Sequence, residues 1–89
     1  MDRVGFGDFL RNRGYTDKSV NSRIARVSSV ERHFGIDIDV VVKNDQSTYD
    51  LLININAAGD RNGTKQNAVR KYYEFRNNNR EFPRLRDFI

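Results

Sequence analysis

The side chains in this chain that could do chemistry are mostly cations, hydroxyls and amides, and they gather in two stretches. One is Thr16-Asp17-Lys18-Ser19-Val20-Asn21-Ser22-Arg23-Ile24-Ala25-Arg26; the other is Thr64-Lys65-Gln66-Asn67-Ala68-Val69-Arg70-Lys71. The chemistry open to them is phosphate binding by Lys and Arg, with base-edge hydrogen bonds from Gln66, Asn67 and Arg70. In the second stretch, at 100° per residue, Ala68, Tyr72 and Phe75 share one stripe with Val69 at its edge. Gln66, Arg70 and Asn77 lie opposite, flanked by Asn67 and Lys71. Thr64 is suited to be the N-cap. Free N–H groups and a partial positive charge at that helix start would welcome a phosphate. In the first stretch the outward side carries Lys18, Ser22, Ala25, Ser29 and Arg32, with Asn21 and Arg26 beside them. Small residues between cations let a phosphate come close. The plain alternative for both stretches is a solvated helix face.

Charge is segregated along the chain. Residues 11–32 hold six Lys/Arg against Asp17 and Glu31, and residues 61–86 hold eight against Glu74 and Glu81. Residues 37–60 hold only Lys43 against Asp37, Asp39, Asp45, Asp50 and Asp60. If the basic segments lie side by side, one face is positive and the acids lie away from it, a footprint suited to nucleic acid. Other chemistries find little support. The chain has no Cys and a single histidine, His33, so thiolate ligation and a histidine-pair metal motif are excluded. Asp37 and Asp39 lack a third ligand and read as a solvated connector. No cofactor, metal, small-molecule substrate or enzymatic activity is expected. No run is apolar enough to span a bilayer. The start, Met1-Asp2-Arg3-Val4-Gly5-Phe6, lacks the hydrophobic segment of a signal peptide, so a cytoplasmic setting is expected.

The elements that must position these side chains are helices. Eighty-nine residues suffice for one small domain. A first helix is expected over 4–13, with Phe6, Phe9 and Leu10 on one face and Gly14 ending it; Gly5 and Gly7 weaken its start. Thr16 caps a second helix over 17–33, where Val20, Ile24, Val27, Val30 and Phe34 recur at helical spacing; Gly35 stops it. Residues 36–42 alternate like a strand without a partner to pair with. They read as an extended or one-turn connector dropping Ile36, Ile38 and Val41 into the core, with a small hairpin as the alternative. A third helix opens at Ser47-Thr48-Tyr49-Asp50 and spans 48–58, with Leu51, Leu52, Ile53 and Ile55 around its circumference. A Gly-Asp-Arg-Asn-Gly loop leads to the fourth, over 65–77. The expected core is Phe9, Leu10, Val20, Ile24, Val27, Leu52, Ile53, Ala68, Tyr72 and Phe75. Residues 1–79 form the domain; 80–89 are a fraying tail, the start of a linker, or a strap whose Phe82, Leu85 and Phe88 dock elsewhere.

Gly14-Tyr15-Thr16-Asp17-Lys18-Ser19-Val20 and Ala68-Val69-Arg70-Lys71-Tyr72-Tyr73-Glu74-Phe75, in this order of elements, resemble the N-terminal core-binding domain of phage integrases and other tyrosine recombinases. The similarity covers roughly residues 4–77. It implies an all-α, four-helix SAM-like orthogonal bundle that clamps duplex DNA, its second and fourth helices facing the major groove and flanking phosphates, in a bacterial or phage-infected cell. Carried onto this chain, it implies contacts from Lys18, Ser19, Ser22, Arg23 and Arg26, and from Thr64, Lys65, Gln66, Asn67, Arg70 and Lys71. Catalysis in that family belongs to a separate C-terminal domain, for which this chain is too short. The rival expectations are a stand-alone SAM-like protein–protein interaction module and a fragment of a longer recombinase.

Overall fold

Thr16 and Gly35 bracket the longest helix. The Thr16 side chain accepts from Ser19 N, and Gly35 takes the left-handed conformation (φ 62°) that releases the chain. The structure is a computed structural model, and it describes residues 1–88. Among the described residues the regular elements are all helical: α1 (Arg3–Asn12), α2 (Asp17–Phe34), α3 (Ile38–Val41), α4 (Asp45–Ala57) and α5 (Thr64–Arg76), with 3₁₀ turns at Arg61–Gly63 and Leu85–Asp87. The expected third and fourth helices are α4 and α5. The extra helix, α3, is the single turn into which the strand-like segment folds. Asp37 caps it by accepting from Asp39 N. Local hydrogen bonding thus satisfies a backbone that has no strand partner.

α5 is the central element, packing against α1, α2 and α4. Ala68, Val69, Tyr72 and Tyr73 on it are buried, joined in the core by Phe6, Leu10, Val20, Val27, Val30, Ile38, Val42, Leu51, Leu52 and Ile55. Phe6 meets the Tyr72 ring edge-on at 5.0 Å between centroids, and Phe75 at 5.8 Å. Each fully buried aliphatic or Phe side chain contributes roughly 1.5–3 kcal/mol. α1 approaches closely because of its glycines. A Cβ on Gly5 would stand 2.3 Å from Asp2 Oδ2 and 2.8 Å from Phe75 Cζ.

Three expectations need correction. α4 starts at Asp45 rather than 48, because Asn44 caps it by accepting from Ser47 N. Thr48 is buried, its hydroxyl donating to Asn44 O at 2.9 Å and Val41 O at 3.2 Å. Ile53 is 39% exposed, so the buried face of α4 is the one carrying Leu51, Leu52 and Ile55. Phe9, Ile24 and Phe75 pack on the core's margin, only partly buried.

Residues 80–88 lie as a strap across α5 and α4. Phe82 is buried, edge-on to Tyr73 at 5.1 Å, and Phe88 stacks on Tyr49 at 4.7 Å. Phe82, Leu85 and Phe88 thus dock on the bundle.

Candidate anion-binding surface

α2 holds four cations that have no carboxylate partner among the described residues. Its two acids are occupied: Asp17 accepts from Arg11 Nε at 3.0 Å, and Glu31 accepts from Ile38 N at 3.1 Å. Lys18, Arg23, Arg26 and Arg32 form no ion pair among the described residues. Thr16, Lys18, Ser19, Ser22, Arg23 and Arg26 line an open concavity of about 300 Å³. Residues 18, 19, 22, 23 and 26 recur at one-turn spacing, so helix geometry alone aligns them.

Arg23 is the best-fixed member. Its Nη1 donates to Ser19 Oγ and, at 3.5 Å, to Ser19 O, and its guanidinium lies over the Tyr15 ring, 4.4 Å from the centroid. Its Nε is buried without a hydrogen-bond partner. A guanidinium stacked on an aromatic ring is positioned with little freedom left to lose on binding. The concavity therefore combines three cations with hydroxyl groups, and among the described residues no carboxylate lines it. Such a set suits an oxyanion, above all a phosphate. Tyr15 and Thr16 belong to this arrangement but were not among the expected contacts. Tyr15 precedes the cap, and its contact with Arg23 depends on how the chain enters α2.

The α5 residues are placed differently. Thr64 is not the N-cap; Gly63 holds that position, and Thr64 Oγ1 donates to Arg61 O at 3.3 Å. The N–H groups of Lys65 and Gln66 donate to the two carboxylate oxygens of Asp60, each at 2.9 Å. The helix start expected to attract a phosphate already holds the chain's own carboxylate, which satisfies both donors and the helix dipole. Arg70 points not outward but into the strap, its Nη1 donating to Phe82 O at 3.0 Å and Pro83 O at 3.2 Å. Burial lowers its pKa from the ordinary arginine value. Lys71 Nζ pairs with Glu74 Oε1 at 3.3 Å, and Glu74 Oε2 accepts from Arg13 Nη1 at 2.7 Å. Gln66 Nε2 reaches Asn56 Oδ1 at 3.5 Å. Asn67 is exposed, and Lys65 forms no ion pair among the described residues. α2 and α5 do pack side by side, but no α5 side chain lines the α2 concavity.

The acidic middle of the chain is engaged elsewhere. Asp39 accepts from the Tyr72 hydroxyl and pairs with the Met1 ammonium at 3.1 Å and Arg76 Nε at 3.2 Å. Burial alone would raise its pKa, but the Tyr72 hydroxyl, the ammonium and Arg76 together hold it below the usual carboxylate range. Asp45 accepts from the Tyr73 hydroxyl at 2.6 Å and from Arg80 Nη2 at 3.0 Å. The Tyr73 hydroxyl lowers its pKa most, burial opposes this, and Arg80 adds to the lowering. Burial, then the Asp45 contact, push the Tyr73 phenol up to about 12. Asp37 and Asp39 share α3 and its cap, but no group of three or more His, Cys, Asp or Glu able to hold a metal occurs among the described residues. No helix among them is long and apolar enough to cross a membrane. Searches of protein-family models, curated proteins and solved structures find no match to this chain.

Proposed function

We propose that this domain binds the phosphate backbone of duplex DNA through α2, as a non-catalytic module. The observation that carries the reading is the contrast between the two basic helices. On α2, Lys18, Arg23 and Arg26 have no carboxylate partner among the described residues and line one concavity with Ser19 and Ser22. On α5, Arg70, Lys71 and the helix N-terminus are satisfied within the fold. Cations left unneutralised on one face give affinity through counterion release; paired cations give little.

The reading accords with the resemblance to the core-binding domains of tyrosine recombinases and to their SAM-like bundle, with one change of emphasis. α2 is the contacting helix, and α5 supports it from behind. Lys65 and Asn67 remain available as flanking contacts at the α5 start. Arg70 serves here as the clamp on the strap.

Binding of the full chain to a random duplex, followed by fluorescence anisotropy, tests this. Three phosphate contacts predict a slope of log K against log salt of about −3. Absence of salt-sensitive binding at micromolar concentrations would refute the reading and favour a protein-interaction module.

A further inference from the structure

Ser28 lies on α2 only 8% exposed, yet two guanidinium groups converge on its hydroxyl. Arg3 Nη2, from the start of α1, donates to Ser28 Oγ at 3.0 Å, and Arg32 Nη1, one turn along α2, donates to it at 3.3 Å. Neither arginine has a carboxylate partner among the described residues. The nearest acids in sequence are committed elsewhere. Asp2 accepts from Gly5 N in capping α1, and Glu31 accepts from Ile38 N and faces the Met1 ammonium at 3.7 Å. Two like charges are thus held within two hydrogen-bond lengths of each other by a neutral oxygen. That oxygen accepts from both but neutralises neither, so their repulsion persists. A clip between α1 and α2 would need only Arg3. The Ser28 O–H itself donates to no protein group among the described residues. Both arginines are exposed, so the cluster is open to solvent.

We infer that Arg3, Ser28 and Arg32 form a phosphate-binding site. Two guanidinium forks supply paired donors to the oxygens of a tetrahedral anion, and the hydroxyl adds an O–H donor as the third group. A phosphate between the arginines replaces their repulsion with two charge-assisted attractions. The site is distinct from the concavity of Lys18, Arg23 and Arg26. At 100° per residue Ser28 and Arg23 lie on opposite edges of the polar arc of α2, and the concavity contains neither Arg3 nor Arg32. The phosphate can come from a nucleic-acid backbone or be free in solution; the recognition chemistry is the same.

The test is an NMR titration of the full chain with inorganic phosphate at constant ionic strength. The Arg3 and Arg32 Nε–H signals and the Ser28 amide should shift saturably in the millimolar range. Arg32→Gln should weaken this binding about tenfold, the loss of one charged hydrogen-bond donor. Arg32→Lys, which keeps the charge and loses the fork, should weaken it with the melting temperature unchanged, and Arg86→Gln, an exposed cation on the strap that belongs to neither site, should leave it intact. Signals that stay still, or move equally with chloride, would overturn the site, as would full binding by Arg32→Gln. A second arm identifies the source. If Arg32→Gln also lowers the salt slope of duplex binding by about one, the phosphate belongs to nucleic acid; if the slope is unchanged, the site takes free phosphate. The phosphate titration contains no DNA, so its failure is separable from a failure of duplex binding.

Discussion

Gly5→Ala should destabilise this protein, against the ordinary rule for helices. Exchanging Gly for Ala within a helix normally gains about 1 kcal/mol. Here the new methyl would lie 2.3 Å from Asp2 Oδ2 and 2.8 Å from Phe75 Cζ. Asp2 cannot turn aside freely, since its Oδ1 accepts from Gly5 N at 2.9 Å as the α1 cap; losing that cap costs about 0.5–2 kcal/mol. The Phe75 ring cannot retreat freely either, being packed against Phe6, Phe9 and Tyr72. Overpacking of this kind costs typically 1–3 kcal/mol. The propensity gain offsets part of the sum, leaving a net loss of roughly 1–3 kcal/mol. Urea denaturation should show a lower midpoint with an unchanged m-value. Asp2→Ala provides the control. In that background Gly5→Ala should cost less, because one of its two clashes is gone, and the difference measures their coupling. A stabilised Gly5→Ala, or a cost that Asp2→Ala does not alter, would refute the close approach of α1 to its cap and to α5.

Arg70→Gln should lose the bonds to Phe82 and Pro83; hydrogen exchange of residues 82–88 should rise, and the salt slope of DNA binding should not change. Asp60→Ala should cost about 0.5–2 kcal/mol in thermal unfolding, since the N–H groups of Lys65 and Gln66 lose their acceptor. Asp39 and Asp45 are both held below the usual carboxylate range. Their stabilisation is therefore present above the unfolded value near 4 and fades as pH falls through the lower folded values. Urea midpoints measured downward from pH 5 should fall, and the fall should be shallower in Asp45→Asn.

The parts of the fold legible in the sequence were those set by neighbours along the chain. Thr16, Gly35 and the Val20–Val27–Val30 stripe define α2 through contacts within a few residues. α4 was harder. Leu51, Leu52, Ile53 and Ile55 give no direction on a helical wheel, so the pattern puts Ile53 inside though it faces solvent. The helix expected to open at Ser47-Thr48-Tyr49-Asp50 begins a turn earlier, at the Asn44 cap, and Thr48 is a buried residue bonded back to Asn44 O. The role of α5 was hidden because its partners are remote: Arg70 finds the strap twelve residues on, and Glu74 meets Arg13 from the far end of the chain. A cation-rich face looks the same in sequence whether solvent or the protein covers it. The α2 cluster was readable because its members share one helix. Arg3 was not, because only tertiary packing brings it to Ser28.

The most direct test of the α2 reading compares salt slopes of duplex binding across variants on the two basic helices. Lys18→Gln and Arg26→Gln should each lower the slope by about one, while Arg70→Gln and Lys71→Gln leave it at the wild-type value of about −3. Slopes that respond to the α5 changes and ignore those on α2, or a wild type with no salt-sensitive binding, would contradict the account.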